Sequence, residues 1–128
     1  MNELNILLVE DSRIARKMAQ FVLLKMHDIV DTANTGAEAV QLSLGKKYDV
    51  ILMDIGLDDI SGYEASMRIR KNSMNEATPI VALTAHQDIN TQESCIKAGM
   101  TEFMIKPFTR EKFEEVLKNL GIAYENGS

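Results

Sequence analysis

The run Val50-Ile51-Leu52-Met53 is apolar at every position, β-branched at two of them, and stops abruptly on Asp54. Four apolar residues in a row, without alternation, suit a strand buried on both faces, as in the middle of a parallel sheet. Parallel neighbours are joined by crossovers, usually helices, so this one run commits the chain to alternating strands and helices. A carboxylate at the tip of such a strand lies in the crevice outside the carboxyl ends of the sheet, where open α/β sheets hold their ligands. Asp54 followed by Gly56 is also ordinary turn composition. The stretch alone leaves both readings open, and the other strand ends decide between them.

Leu4 to Val9 is a second buried strand and ends on Glu10-Asp11. Ser12 is a good N-cap for a helix over about 13–26, where Ile14, Met18, Phe21, Val22 and Met26 recur near helical spacing. A shorter strand spans 29–33, weakened by Asp31. Thr35-Gly36-Ala37-Glu38 is a capping box opening a helix that closes near Gly45. The strand 48–54 follows, then a loop over 56–60. Ser61-Gly62-Tyr63-Glu64 starts a third helix, running to about Lys71. Pro79 begins a strand through Leu83 that ends at Thr84, since the first residue of a strand tolerates proline. Asp88 caps a helix that stops at Gly99. The strand 101–105 ends at Lys106-Pro107, and Thr109 caps a last helix carrying Phe113, Val116, Leu117 and Leu120 on one face. Methionines at helical spacing read as core filler. The pattern predicts an α/β fold: a doubly wound, five-stranded parallel sheet of flavodoxin-like order 2-1-3-4-5 with five helices. Its crevice lies between strands 1 and 3.

The chain of 128 residues corresponds to about one domain. No apolar run approaches the ~20 residues of a membrane span, and the N-terminus lacks the features of a secretory signal. Cys95 stands alone, so no internal disulfide forms and a cytoplasmic setting is the simplest. A net charge of -5 argues against sequence-independent binding to nucleic acid or to an anionic membrane.

Read together, the strand tips are Glu10-Asp11, Asp54, Thr84 and Lys106. Two carboxylates about 4 Å apart repel by ~4 kcal/mol at an effective dielectric near 20, so three together call for a cation. Mg²⁺, which takes carboxylate, carbonyl and water oxygens, would relieve the repulsion, and a carbonyl at Gly56 is able to turn back towards it. A carboxylate is a competent nucleophile towards phosphorus, and a transferring phosphoryl group needs positive charge about its oxygens. Mg²⁺ and Lys106 supply that charge, Thr84 a hydroxyl. Taken singly, Glu10-Asp11 also suits a helix start, while Thr84 and Lys106 also suit a plain strand end and a solvated lysine. Their coincidence at successive strand tips favours a site for phosphoryl transfer to Asp54.

With these residues in place, the chain resembles the receiver domain of two-component response regulators. The motifs are Leu8-Val9-Glu10-Asp11, Met53-Asp54, Gly62 after the loop, Ala82-Leu83-Thr84-Ala85 and Lys106-Pro107-Phe108. They cover about residues 4–120, which implies a receiver domain over 1–121 and a polar tail over 122–128. The resemblance implies Asp54 as phosphoacceptor, Asp11 and the Gly56 carbonyl as direct Mg²⁺ ligands, and Glu10 acting through water. It implies Lys106 as the phosphate-binding lysine, Thr84 and Phe103 as a switch pair, and a bond before Pro107 that is commonly cis. Asp58 stands where a loop proline is frequent, and His86 occupies a place that often influences phosphoryl lifetime. The implied donor is a histidine kinase or a histidine phosphotransfer domain, and the string from Ala82 to His86 resembles receivers of hybrid histidine kinases. Docking beside the start of the first helix makes Arg13, Ile14 and Arg16 the expected contact residues, in a monomer or weak dimer. Such a domain is not an enzyme beyond its own phosphorylation and slow autodephosphorylation. Competing readings are an aspartyl-nucleophile phosphohydrolase of the haloacid dehalogenase type, which lacks its second acid at Gly56, and a flavin-binding flavodoxin-like module, whose phosphate loop is replaced by Glu10-Asp11. A degenerate receiver serving as a scaffold is the last, and the complete set of site residues argues against it.

Overall fold

The computed structural model of the chain describes residues 3–71, 73–85 and 88–122. Among the described residues, β1 (Asn5–Val9), β2 (Ile29–Ala33), β3 (Val50–Asp54), β4 (Ile80–Thr84) and β5 (Glu102–Ile105) form one parallel sheet in the order β2-β1-β3-β4-β5. The crossovers hold α1 (Arg13–Lys25), α2 (Gly36–Gly45), α3 (Gly62–Lys71), α4 (Ile89–Lys97) and α5 (Arg110–Asn119). The expected doubly wound architecture is therefore present.

Every residue of β3 and β4 is buried. Alternate side chains enter two cores. Leu8, Leu52, Val81 and Leu83 pack with Leu23 of α1 and Phe113 and Leu117 of α5. Leu7, Ile51, Met53 and Ile80 pack on the other face with Ala39 of α2 and Ile69 of α3. Each such aliphatic side chain contributes about 1.5–3 kcal/mol through its removal from water. The pairing aligns Val9 with Met53, Asp54 with Leu83, and Thr84 with Ile105. In consequence, the residues just beyond β1, β3, β4 and β5 emerge along one edge.

All five expected caps close their helices. Ser12 Oγ accepts from Ala15 N at 3.3 Å, Thr35 Oγ1 from Glu38 N at 3.0 Å and Ser61 Oγ from Glu64 N at 3.1 Å. Asp88 Oδ1 accepts from Thr91 N at 2.7 Å and Thr109 Oγ1 from Lys112 N at 3.2 Å. Each contact satisfies an amide that has no partner within its helix, at about 1 kcal/mol. Chain reversal after α4 uses Gly99, whose φ of +86° favours glycine. The amide of Ile122 donates to Leu117 O, and its side chain packs against the core. Residues 123–128 of the expected tail, and His86, lie outside the described residues.

Helix α1 departs from expectation. Ile14, Met18 and Phe21 mark its helical period in the sequence, yet they are 75%, 59% and 62% exposed. Its buried face is Ala19 and Leu23, with Met26 just beyond the helix. Met18, and likewise Met67 and Met74, are exposed rather than core filler. Period alone does not say which of two apolar stripes faces inward. Asp31, which weakened β2 in the sequence, is satisfied in place: its Oδ2 accepts from Tyr48 Oη at 2.8 Å and from Lys46 Nζ at 3.1 Å.

Away from the sheet's carboxyl edge, Asp28 is a buried acid. Its Oδ1 accepts from Leu4 N at 3.3 Å, while Oδ2 is buried without a hydrogen-bond partner. Burial pushes this carboxyl up to about 6; the Leu4 amide and His27 oppose the shift and Asp49 adds to it. The unfolded chain releases the proton near 3.8 and the folded one near 6, so stability falls as pH rises through that window. Two pH units correspond to about 3 kcal/mol. Chemical denaturation of wild type and Asp28→Asn should therefore give a difference that moves in favour of the variant by about 2 kcal/mol between about pH 4 and pH 8. A difference independent of pH would mean that Asp28 ionises as freely in the fold as outside it.

Candidate functional site

The carboxyl edge gathers Glu10, Asp11 and Asp54, which each offer an oxygen within 4.8 Å of the others. Glu10 follows β1 directly, and Asp54 is the last residue of β3. Since Val9 pairs with Met53, the two acids stand level on neighbouring strands. Lys106 follows β5, where its amide donates to Thr84 O at 2.8 Å. Its Nζ lies 3.2 Å from Glu10 Oε1 and 3.2 Å from Asp54 Oδ2.

The two oxygens of Asp54 are held differently. Oδ2 takes the Lys106 contact, and Oδ1 accepts from Gly56 N at 2.9 Å. Glu10 is braced by its own loop: Ser12 N donates to its Oε2 at 3.2 Å, and Arg16 Nη1 donates to its carbonyl oxygen at 2.9 Å. Arg16, one of the expected docking residues, is half-buried and donates its Nη1 to this brace, while Arg13 and Ile14 are exposed.

The electrostatics record the crowding. Burial pushes the Glu10 carboxyl up to about 7, with the hydrogen bond and negative charge of Asp54 adding to the shift. For Lys106, burial works against the charge, but the Asp54 and Glu10 carboxylates outweigh it and hold the ammonium above its usual value. Asp11 is raised by burial first, then by the charges of Asp58 and Asp54. Asp58 is exposed, and it still bears on the cluster through Asp11.

Thr84 is 1% exposed and lies one residue beyond Leu83, the partner of Asp54 across the sheet. Phe103 stands on β5 beside Ala82, half-buried along a groove that Cys95, Ile96 and Met100 also line. It is not part of the acid cluster. The Lys106–Pro107 peptide is cis.

Gly62 fixes how the loop after β3 returns. A side-chain carbon there would overlap the Asp54 carbonyl oxygen and lie 2.6 Å from Ile55 Cα, both backbone atoms that cannot step aside. Gly62 N donates to Ile55 O at 3.3 Å, closing the loop at its base. Sequence reasoning missed Asp59, whose carboxylate reaches α2. Its signature is ordinary turn composition, and nothing local marks a partner 23 residues away.

Oxygen donors of this kind, three carboxylates with a carbonyl-bearing loop beside them, suit a hard divalent cation, and Lys106 suits an anion bound next to it. The site contains no second acid at Gly56 and no phosphate-cradling loop after β1, so the hydrolase and flavin readings gain nothing from it.

A doubly wound sheet with acids and a lysine at its switch point defines a phosphoacceptor module, and the chain belongs to the response regulator receiver domain family, whose pattern matches residues 6–118. It is thus a receiver domain of two-component signalling. It is 30% identical over 125 residues to the signal transduction histidine-protein kinase BarA of Escherichia coli K12, covering 98% of this chain but only 13% of that kinase. Chemotaxis protein CheY4 of Vibrio cholerae superimposes with a TM-score of 0.87 at 28% identity, over 92% of this chain and 98% of that one. The receiver domain of a Pseudomonas aeruginosa PAO1 sensor histidine kinase does so with a TM-score of 0.85 at 33% identity, over 92% and 97%. That structure has a magnesium ion coordinated in its active-site cleft.

Gly62→Ala should destabilise the fold by about 2–4 kcal/mol, because the added methyl meets backbone that has no room to move. Urea denaturation checks this; an unchanged midpoint would mean that the loop relocates freely.

Proposed function

We propose that Asp54 accepts a phosphoryl group from phosphohistidine, in a site that holds Mg²⁺ through Asp11, Asp54 and the Gly56 carbonyl, with Glu10 behind it. The observation that carries this reading is the Asp54 carboxylate, fixed at Oδ1 by an amide and at Oδ2 by Lys106. Mg²⁺, when bound, supplies the charge that offsets the acids and the incoming phosphoryl oxygens. A carboxylate oxygen of Asp54 forms the new O–P bond as the P–N bond to the donor imidazole breaks, and the imidazole takes up a proton. Lys106 follows the phosphoryl oxygens with its ammonium, and Thr84 turns its hydroxyl towards them. Phe103 repacks as Thr84 moves, which alters the face of α4, β5 and α5. Beyond its own phosphorylation and slow autodephosphorylation the domain is not an enzyme.

The donor is a histidine kinase or a histidine phosphotransfer domain, as expected for a chain similar to part of hybrid kinases. No helix among the described residues is long and apolar enough to cross a membrane. The net charge of -5 disfavours sequence-independent binding to nucleic acid, and in this reading the domain works in the cytoplasm as a monomer or weak dimer. The donor docks on α1. There Ile14, Met18 and Phe21 form an exposed apolar stripe, continuous with an apolar groove of about 330 Å³ between α1 and Pro107-Phe108. Glu10 and Lys106 themselves line that groove, so a domain seated on it delivers its histidine beside Asp54.

Acetyl phosphate with Mg²⁺ should label wild type on Asp54, read by Phos-tag gel and by mass. Asp54→Asn should take no label, and Lys106→Ala should label about tenfold more slowly or worse. Normal labelling of Asp54→Asn would overturn the assignment. Ile14→Asp and Phe21→Ala, by contrast, should slow transfer from phosphorylated histidine phosphotransfer domains about tenfold, as expected for the loss of a buried apolar anchor. Their labelling by acetyl phosphate should stay at the wild-type rate. Equal slowing with both donors would place the defect in the site rather than in docking.

A further inference from the structure

The loop between β3 and α3, residues 55–61, contains no proline; the chain has prolines only at 79 and 107. Its base is closed by Gly62 against the end of β3. Its far side is tied to α2. Asp59 Oδ1 accepts from Gly36 N at 2.9 Å, and Oδ2 accepts from Ala37 N at 2.9 Å. These are the first two amides of α2, both without a partner inside their own helix. Thr35 Oγ1 takes the third amide and Thr35 O the fourth, that of Ala39. The start of α2 is thereby fully satisfied, half of it by a residue from another loop. Ile60 packs at the same place: a carbon added to Gly36 would lie 2.5 Å from Ile60 Cγ1.

We propose that Asp59 is a positioning residue for the cation site: by clamping loop 55–61 to the first turn of α2, it holds the Gly56 carbonyl and Asp58 beside Asp11 and Asp54. The inference rests on the cation reading given above. A loop fixed at both ends meets a cation without first losing conformational freedom, so the clamp appears as affinity. Freed at its far side, the loop must be ordered each time the cation binds. The bidentate bond to a helix N-terminus is charge-assisted and favoured by the helix dipole. Asparagine has one acceptor oxygen in place of two, so it keeps part of the clamp, and alanine keeps none.

Two measurements test this. The first is Mg²⁺ titration of wild type, Asp59→Ala, Asp59→Asn and Thr35→Ala by isothermal calorimetry, at low and high ionic strength. Asp59→Ala should bind Mg²⁺ about tenfold more weakly, Asp59→Asn should fall between it and wild type, and Thr35→Ala should match wild type. Thr35→Ala removes a cap from the same helix without touching the loop, so an equal loss there would reduce the effect to the stability of α2 and overturn the proposal. Equal losses in Asp59→Ala and Asp59→Asn that vanish at high salt would reduce it to lost negative charge and overturn it too. Affinity within twofold of wild type in Asp59→Ala would do the same. The second is amide hydrogen exchange of metal-free protein. Asp59→Ala should speed exchange of residues 55–61 by tenfold or more, and unchanged exchange would overturn the clamp whether or not wild type binds Mg²⁺. Failure of wild type to bind Mg²⁺ would instead overturn the cation reading.

Discussion

Burial of β3 and β4 on both faces is the constraint from which the rest of the molecule follows. Each of their residues is enclosed, so neither strand presents a polar side chain to water along its length. Their chemistry is confined to the ends, and parallel pairing sends all carboxyl ends to the same edge. Helix connections place the switch in strand order between β1 and β3, where the crossovers diverge and leave a crevice. Asp54 is therefore the end of an apolar strand whose neighbours on either side must also finish there.

That edge is an electrostatic compromise. Glu10 and Asp54 both contact the single ammonium of Lys106, yet burial and the proximity of Asp54 still push Glu10 up to about 7. One ammonium does not balance three acids, and a buried carboxylate with insufficient positive charge tends to keep its proton. A divalent cation would relieve that repulsion, and in the proposed reading Asp54, flanked by the cation and Lys106, is the residue that receives a phosphoryl group. Arg16 reinforces the arrangement by donating to the Glu10 carbonyl oxygen, which braces the end of β1.

Strand order and the residues that meet at the carboxyl edge are legible in the sequence because both are carried by neighbouring residues: an apolar run and the polar residue that ends it. Caps are legible for the same reason, as Thr35 and Glu38 are three residues apart. What escapes is set by partners distant in the chain. Asn75 lies in the polar stretch between α3 and β4, yet it is fully buried, accepts from Tyr48 N at 2.9 Å and donates to Ser43 O and Lys46 O at 2.7 and 2.8 Å. Nothing near residue 75 announces those groups. Asp59 is the same case, a turn residue by composition and a helix cap by contact. The orientation of α1 fails for a different reason. Ile14, Met18 and Phe21 satisfy the helical period as well as Ala19 and Leu23 do, and it is the second stripe that the fold buries.

These late-emerging features divide the two sides of the crevice. On the α2 side, Asp59 and Ile60 lock the loop after β3 to a neighbouring helix, so the part of the site proposed to meet a cation is tied into the fold. On the α1 side, an apolar stripe and groove lead up to Glu10 and Lys106 with their apolar surface in water. Exposed apolar surface beside a charged site lowers the stability of the isolated domain and gains free energy only when covered. Cation geometry needs sub-ångström order, which intramolecular clamps provide without loss of rigid-body freedom. Recognition of a donor needs surface that another protein desolvates, which the fold must leave unfilled. In the proposed reading a single crevice serves both ends because the parallel sheet supplies two walls from different crossovers, and each is free to meet its own requirement.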